Sequence, residues 1–67
     1  MKKERFLISL FNKNGVKVNT YVANILEDAE CFAIAHIKAG ITNEATVIGY
    51  FQGKVITYSM FKKEEHS

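Results

Sequence analysis

The chain has 67 residues, 48% of them hydrophobic, with nine Lys or Arg against seven Asp or Glu and a net charge of +2. That length allows one domain, residues 1–67, with a small core, and the near balance of charge excludes the strongly basic surface that holds a protein on duplex DNA. Cys31 is the one cysteine, which excludes an internal disulfide, and with His36 and His66 as the two histidines it makes no zinc-ligand spacing.

A domain this small normally needs a staple. With no disulfide or metal pattern to supply one, self-association is expected, and a homodimer is predicted. No apolar run reaches the roughly 18 residues of a membrane span, so no membrane partner is expected. A single thiol suits a reducing cytoplasm. Met1-Lys2-Lys3-Glu4-Arg5 is charged like the start of a signal peptide, but the apolar stretch from Phe6 to Phe11 is too short to continue one.

In chain order, Arg5 to Asn12 reads as a strand with Phe6, Ile8 and Leu10 on one face. Val16 to Ala23 reads as a second, with Val16, Val18, Thr20 and Val22 on one face. Lys13-Asn14-Gly15 turns the chain between them. A two-residue turn would set the two apolar faces against each other, whereas a three-residue loop pairs Asn12 with Val16 and Leu10 with Val18. Register follows the buried face, so the three-residue loop with a left-handed Gly15 is the expectation.

A helix is predicted from Ile25 to Ala39. Asn24 is placed as its N-cap, with Glu27 three residues on completing a capping box. Ile25, Leu26, Ala29, Phe32, Ala33, His36 and Ile37 form one apolar stripe at helical spacing, and Gly40 is placed just past the end. The second hairpin runs from about Ala45 to Lys62 around a two-residue Gln52-Gly53 turn. That turn pairs Phe51 with Lys54, Gly49 with Ile56 and Val47 with Tyr58, which gathers Ala45, Val47, Phe51, Ile56, Tyr58 and Met60 on the core face. Gly49, in mid-strand, marks a bulge or a close backbone approach. Residues 1–4 and 63–67 are expected to fray. The predicted fold is α+β: two β-hairpins forming a four-stranded antiparallel sheet, with one helix packed on one face, in the order ββαββ.

One helix covers one face of such a sheet. The other face is then predicted to carry Leu7, Phe11, Tyr21, Ile48, Tyr50, Val55 and Phe61, more apolar surface than a monomer normally leaves in water. Three readings of that face stay open: strand ends and twist cover it, it is a protein interface, or Tyr21, Tyr50 and Phe61 stack on the bases of a single-stranded nucleic acid. The candidate partner-binding residues on it are Phe11, Tyr21, Tyr50 and Phe61. A second candidate surface is the acidic helix opening, Glu27, Asp28 and Glu30, which complements the helix dipole and also suits a basic protein surface.

Chemistry is sparse. Cys31 falls opposite the apolar stripe, near Glu27 and Asp28, whose charge disfavours a reactive thiolate. His36 reads as a partly buried structural residue, and the four glycines are too scattered for a phosphate loop. No catalytic residue, metal site or cofactor is assigned, and the chain reads as a binding protein and not an enzyme.

Four stretches carry a resemblance: the strand ending Thr20-Tyr21-Val22-Ala23, the helix opening Leu26-Glu27-Asp28-Ala29-Glu30, the helix-end Gly40, and the strand Ala45-Thr46-Val47-Ile48. Together they resemble the architecture of small phage-encoded proteins that disable host machinery, among them inhibitors of bacterial RNA polymerase, antitoxins against host RNase toxins, and small anti-CRISPR proteins. The resemblance implies a stoichiometric inhibitor that blocks a bacterial protein or complex in the host cytoplasm, with an anti-CRISPR protein favoured. A single-stranded nucleic-acid binder is the alternative.

Overall fold

The computed structural model describes residues 4–63. It contains β1 (Arg5–Phe11), β2 (Lys17–Ala23), α1 (Leu26–Lys38), β3 (Glu44–Phe51) and β4 (Lys54–Lys62). The strands form one antiparallel sheet in the order β2-β1-β3-β4. The fold is therefore the ββαββ α+β arrangement. β2 and β3 both run antiparallel to β1, which lies between them, so α1 is the crossover that carries the chain over β1. No helix among the described residues is long and apolar enough to cross a membrane.

Alternation along β1 sends Phe6, Ile8 and Leu10 toward the helix, where they are buried. Their β3 partners are Gly49, Val47 and Ala45. From α1, Ala29 and Ala33 complete the buried core, with Leu26, Phe32 and Ile37 packed at its margin. Two alanines at i and i+4 let the helix axis approach the two central strands closely.

The helix starts one residue later than the sequence predicts. Ile25, in extended conformation, occupies the N-cap position and makes no side-chain capping bond, so the expected Asn24–Glu27 capping box does not form. Glu27 and Asp28 lie in the first turn, where the dipole favours them. The C-terminus ends as expected on a left-handed Gly40 (φ +78). The Gly40 N–H donates to the Ile37 carbonyl at 3.1 Å and the Ile41 N–H to the His36 carbonyl at 3.0 Å, the paired bonds of a Schellman motif. Buried Thr42 then ties the returning chain to β1. Its hydroxyl donates to the Phe11 carbonyl, which also accepts the Asn43 N–H at 3.0 Å.

Both hairpin loops are as predicted, and both registers are not. In the first loop, Gly15 is left-handed (φ +80) and Asn12 and Val16 are hydrogen-bonded. The Asn12 carboxamide oxygen also accepts the Asn14 and Val16 N–H groups at 2.8 and 3.1 Å. Beyond the loop, however, Phe11 faces Lys17 and Leu10 faces Asn19, so Val18 has no partner of its own. In the second hairpin, Phe51 faces Lys54 across Gln52 (φ 52) and Gly53 (φ 79), the two positive φ angles of a type I′ turn. Here Tyr50 faces Val55 and Gly49 faces Thr57, which leaves Ile56 as the extra residue. One inserted residue flips every later side chain to the other face. Leu10 is therefore opposite Asn19 and not Val18, and Val47 is opposite Ser59 and not Tyr58.

The expected fraying of residues 1–4 and 63–67 falls mostly outside the described residues. Lys63, which is described, donates its N–H to the Asn43 carbonyl at 2.8 Å.

Candidate functional site: the uncovered sheet face

The two bulges decide which side chains meet the helix. On β2 these are Asn19, Tyr21 and Ala23, opposite Leu10, Ile8 and Phe6. On β4 they are Thr57, Ser59 and Phe61, opposite Gly49, Val47 and Ala45. Tyr21 thus leaves the open face to which the sequence assigned it. Its ring centroid lies 4.7 Å from that of Phe32 and 6.1 Å from that of His36, and its hydroxyl accepts a 2.8 Å bond from the Asn19 amide. Phe61 moves likewise and packs against the core margin. The stacking platform drawn from Tyr21, Tyr50 and Phe61 therefore keeps one of its three rings, Tyr50.

Among the described residues no layer covers the opposite face. Leu7 is paired with Val22 on one side and Ile48 on the other, and Ile48 is paired with Tyr58. The result is one apolar row, Val22–Leu7–Ile48–Tyr58, across all four strands. At its ends Val22 is 61% and Tyr58 58% exposed, and Leu7 and Ile48 between them are half-buried. On one side lie Arg5, Tyr50 and Val55 in register. On the other lies a row of smaller residues, Thr20–Ser9–Thr46, that ends on Met60. Ser9 and Thr46 are sunk to 6% and 8% exposure, so a shallow trough runs beside the apolar ridge. Beyond the trough Phe11 sits between Lys17 and Glu44, and Glu44 lies 4.0 Å from the Lys62 ammonium. That ion pair is largely solvated and contributes little stability.

Of the predicted contact residues, Phe11 and Tyr50 are on this face and half-buried. Sequence reasoning missed Val22, Tyr58 and Met60, which it placed in the core. One signal for the β4 pair was legible: the bulge adjoins Gly49, which the sequence marks as a bulge position. Carrying that insertion through the register turns Tyr58 and Met60 outward.

Glu27 and Asp28 are exposed on α1, and Glu30 is half-buried. The helix packs Ala29 and Ala33 on the sheet, so the acidic opening and the bare sheet face lie in opposite layers of the molecule. Cys31 is a free, exposed thiol. His36 is half-buried, 4.1 Å from Phe32 between ring centroids, with Nδ1 2.8 Å from the Phe32 carbonyl. A carbonyl can only accept, so Nδ1 carries the proton. Among the described residues no group of three or more His, Cys, Asp or Glu is placed to hold a metal ion. Comparison with protein-family models, with curated proteins and with solved structures finds no match for this chain.

Proposed function

We propose that this chain is a small non-catalytic binding protein of the phage-inhibitor type, which works in the bacterial cytoplasm by occluding a surface of a protein machine. The observation that supports this reading is the bare apolar row across all four strands. On the edge strands the register turns Val22, Tyr58 and Met60 away from the helix, while the helix side receives Tyr21 and Phe61 together with Asn19, Thr57 and Ser59. Register normally follows the face that is buried, so this choice fits a sheet whose back is covered in the working form. Interfaces favour such a mixture of tyrosine, methionine and aliphatic side chains with few charges.

The anti-CRISPR assignment rests on the shared hairpin–helix–hairpin architecture and on Glu27 and Asp28, exposed and facing away from the sheet. Two carboxylates there suit the basic groove in which a CRISPR effector holds nucleic acid.

Capture of tagged protein's targets from a bacterial lysate, with and without nuclease, tests the reading. A nuclease-resistant bacterial protein is expected to be retained. Retention of nothing overturns the reading. Retention that nuclease removes points instead to a single-stranded nucleic-acid ligand.

A further inference from the structure

We propose that the bare sheet face is covered by the same face of a second copy, around a two-fold axis that crosses the strands between the Leu7 row and the Ser9 row. This deepens the reading above and rests on its claim that the face is an interface. A two-fold axis in that direction keeps each strand over its own counterpart and inverts the order of the rows. Leu7 of one copy then lies over Ser9 of the second copy, Ile48 over Thr46, and Val22 over Thr20, each with its reciprocal. Over β1, β2 and β3 the ridge of one sheet fills the trough of the other, and on β4 Tyr58 meets Met60, two large side chains in contact, which together give the self-complementarity a two-fold interface requires.

The outer rows also match. Arg5 of one copy comes over the neighbouring Phe11 and Glu44 of the second copy. A guanidinium there gains a ring face and a carboxylate together. Four strands about 4.8 Å apart, with seven residues at about 3.3 Å each, make a flat face of roughly 450 Å², below the roughly 600–1,000 Å² per partner of a standard specific interface until side-chain relief is added.

The core gives the dimer its reason. Of seven buried core residues, Phe6, Ile8, Leu10, Ala29, Ala33, Ala45 and Val47, three are alanine. A core that thin leaves a domain of this size short of stability. Aligned sheet packing adds a second core layer about 10 Å thick. It also leaves Glu27 and Asp28 exposed at both outer surfaces, where each dimer presents two acidic contacts.

The test needs only purified protein. Sedimentation velocity at concentrations up to about 100 µM is expected to give twice the chain mass. Ser9→Leu fills the trough and is expected to give a monomer. Leu7→Ser combined with Ser9→Leu exchanges ridge and trough and is expected to restore the dimer. Tyr58→Asp changes a solvent-exposed position away from the core and is expected to give a folded monomer by circular dichroism. A wild-type monomer at that concentration overturns the proposal, as does a Ser9→Leu or Tyr58→Asp dimer. A monomer that still captures a target through this face overturns the dimer while leaving the binding reading standing.

Discussion

Gly49→Ala is expected to lower the unfolding free energy by about 1–3 kcal/mol, and Gly49→Val by more. A Cβ at residue 49 would stand 2.8 and 2.9 Å from Phe6 Cε1 and Cδ1, and 3.2 Å from Thr57 Cβ. Phe6 is 3% exposed and belongs to the core, so its ring can yield only by displacing its core neighbours. The cause is overpacking, because Gly49 has an ordinary extended φ and no strain to relieve. For a domain whose whole stability is a few kcal/mol, that loss is a large share. A urea midpoint that falls with an unchanged slope is the expected signature. Phe6→Leu, introduced together with Gly49→Ala, is expected to cost less than the sum of the two single changes, because the smaller side chain vacates the space the new Cβ needs. A Gly49→Ala midpoint equal to the parent's would mean that the ring does not lie over the glycine.

Glu27→Lys combined with Asp28→Lys is expected to weaken target capture at least a hundredfold while the dimer and the fold persist. Both residues are exposed in the first helical turn, so their substitution removes no packing. The unfavourable dipole term is about 0.3–1 kcal/mol for each charge. Breaking a charge pair at an interface costs about 2–5 kcal/mol, and reversal adds repulsion, so binding should fail long before folding does. Titration of the captured target at two salt concentrations, with circular dichroism as the folding control, reads both. Unchanged capture by the reversed variant removes the acidic opening from the contact.

The order of elements, the helix, both loops and the left-handed glycines were legible because each has a local cause. A left-handed position favours glycine, as at Gly15, Gly40 and Gly53, with Gln52 the one non-glycine among the described residues to adopt it, and a helix needs its apolar stripe. The faces of the edge strands were not legible, because they depend on two bulges. The assumption that Val22, Tyr58 and Met60 seek the helix fails because the bulges at Val18 and Ile56 reverse the face of every strand residue beyond them. At Val18 no local residue marks the insertion. At Ile56 the neighbouring strand's Gly49 does, and only the consequence was missed. The placement of Tyr21 against Phe32 and His36 follows from the first bulge and from nothing nearer in sequence.

An isotope-filtered NOESY spectrum, recorded on an equal mixture of ¹³C-labelled and unlabelled chains, tests the central claim most directly. Contacts between chains are predicted from the Leu7 and Ile48 methyl groups to protons of Ser9 and Thr46, with no contact from those methyls to Ala29 or Ala33. Cross-peaks from Leu7 or Ile48 to the helix, or an absence of any peak between chains at about 1 mM protein, would contradict it.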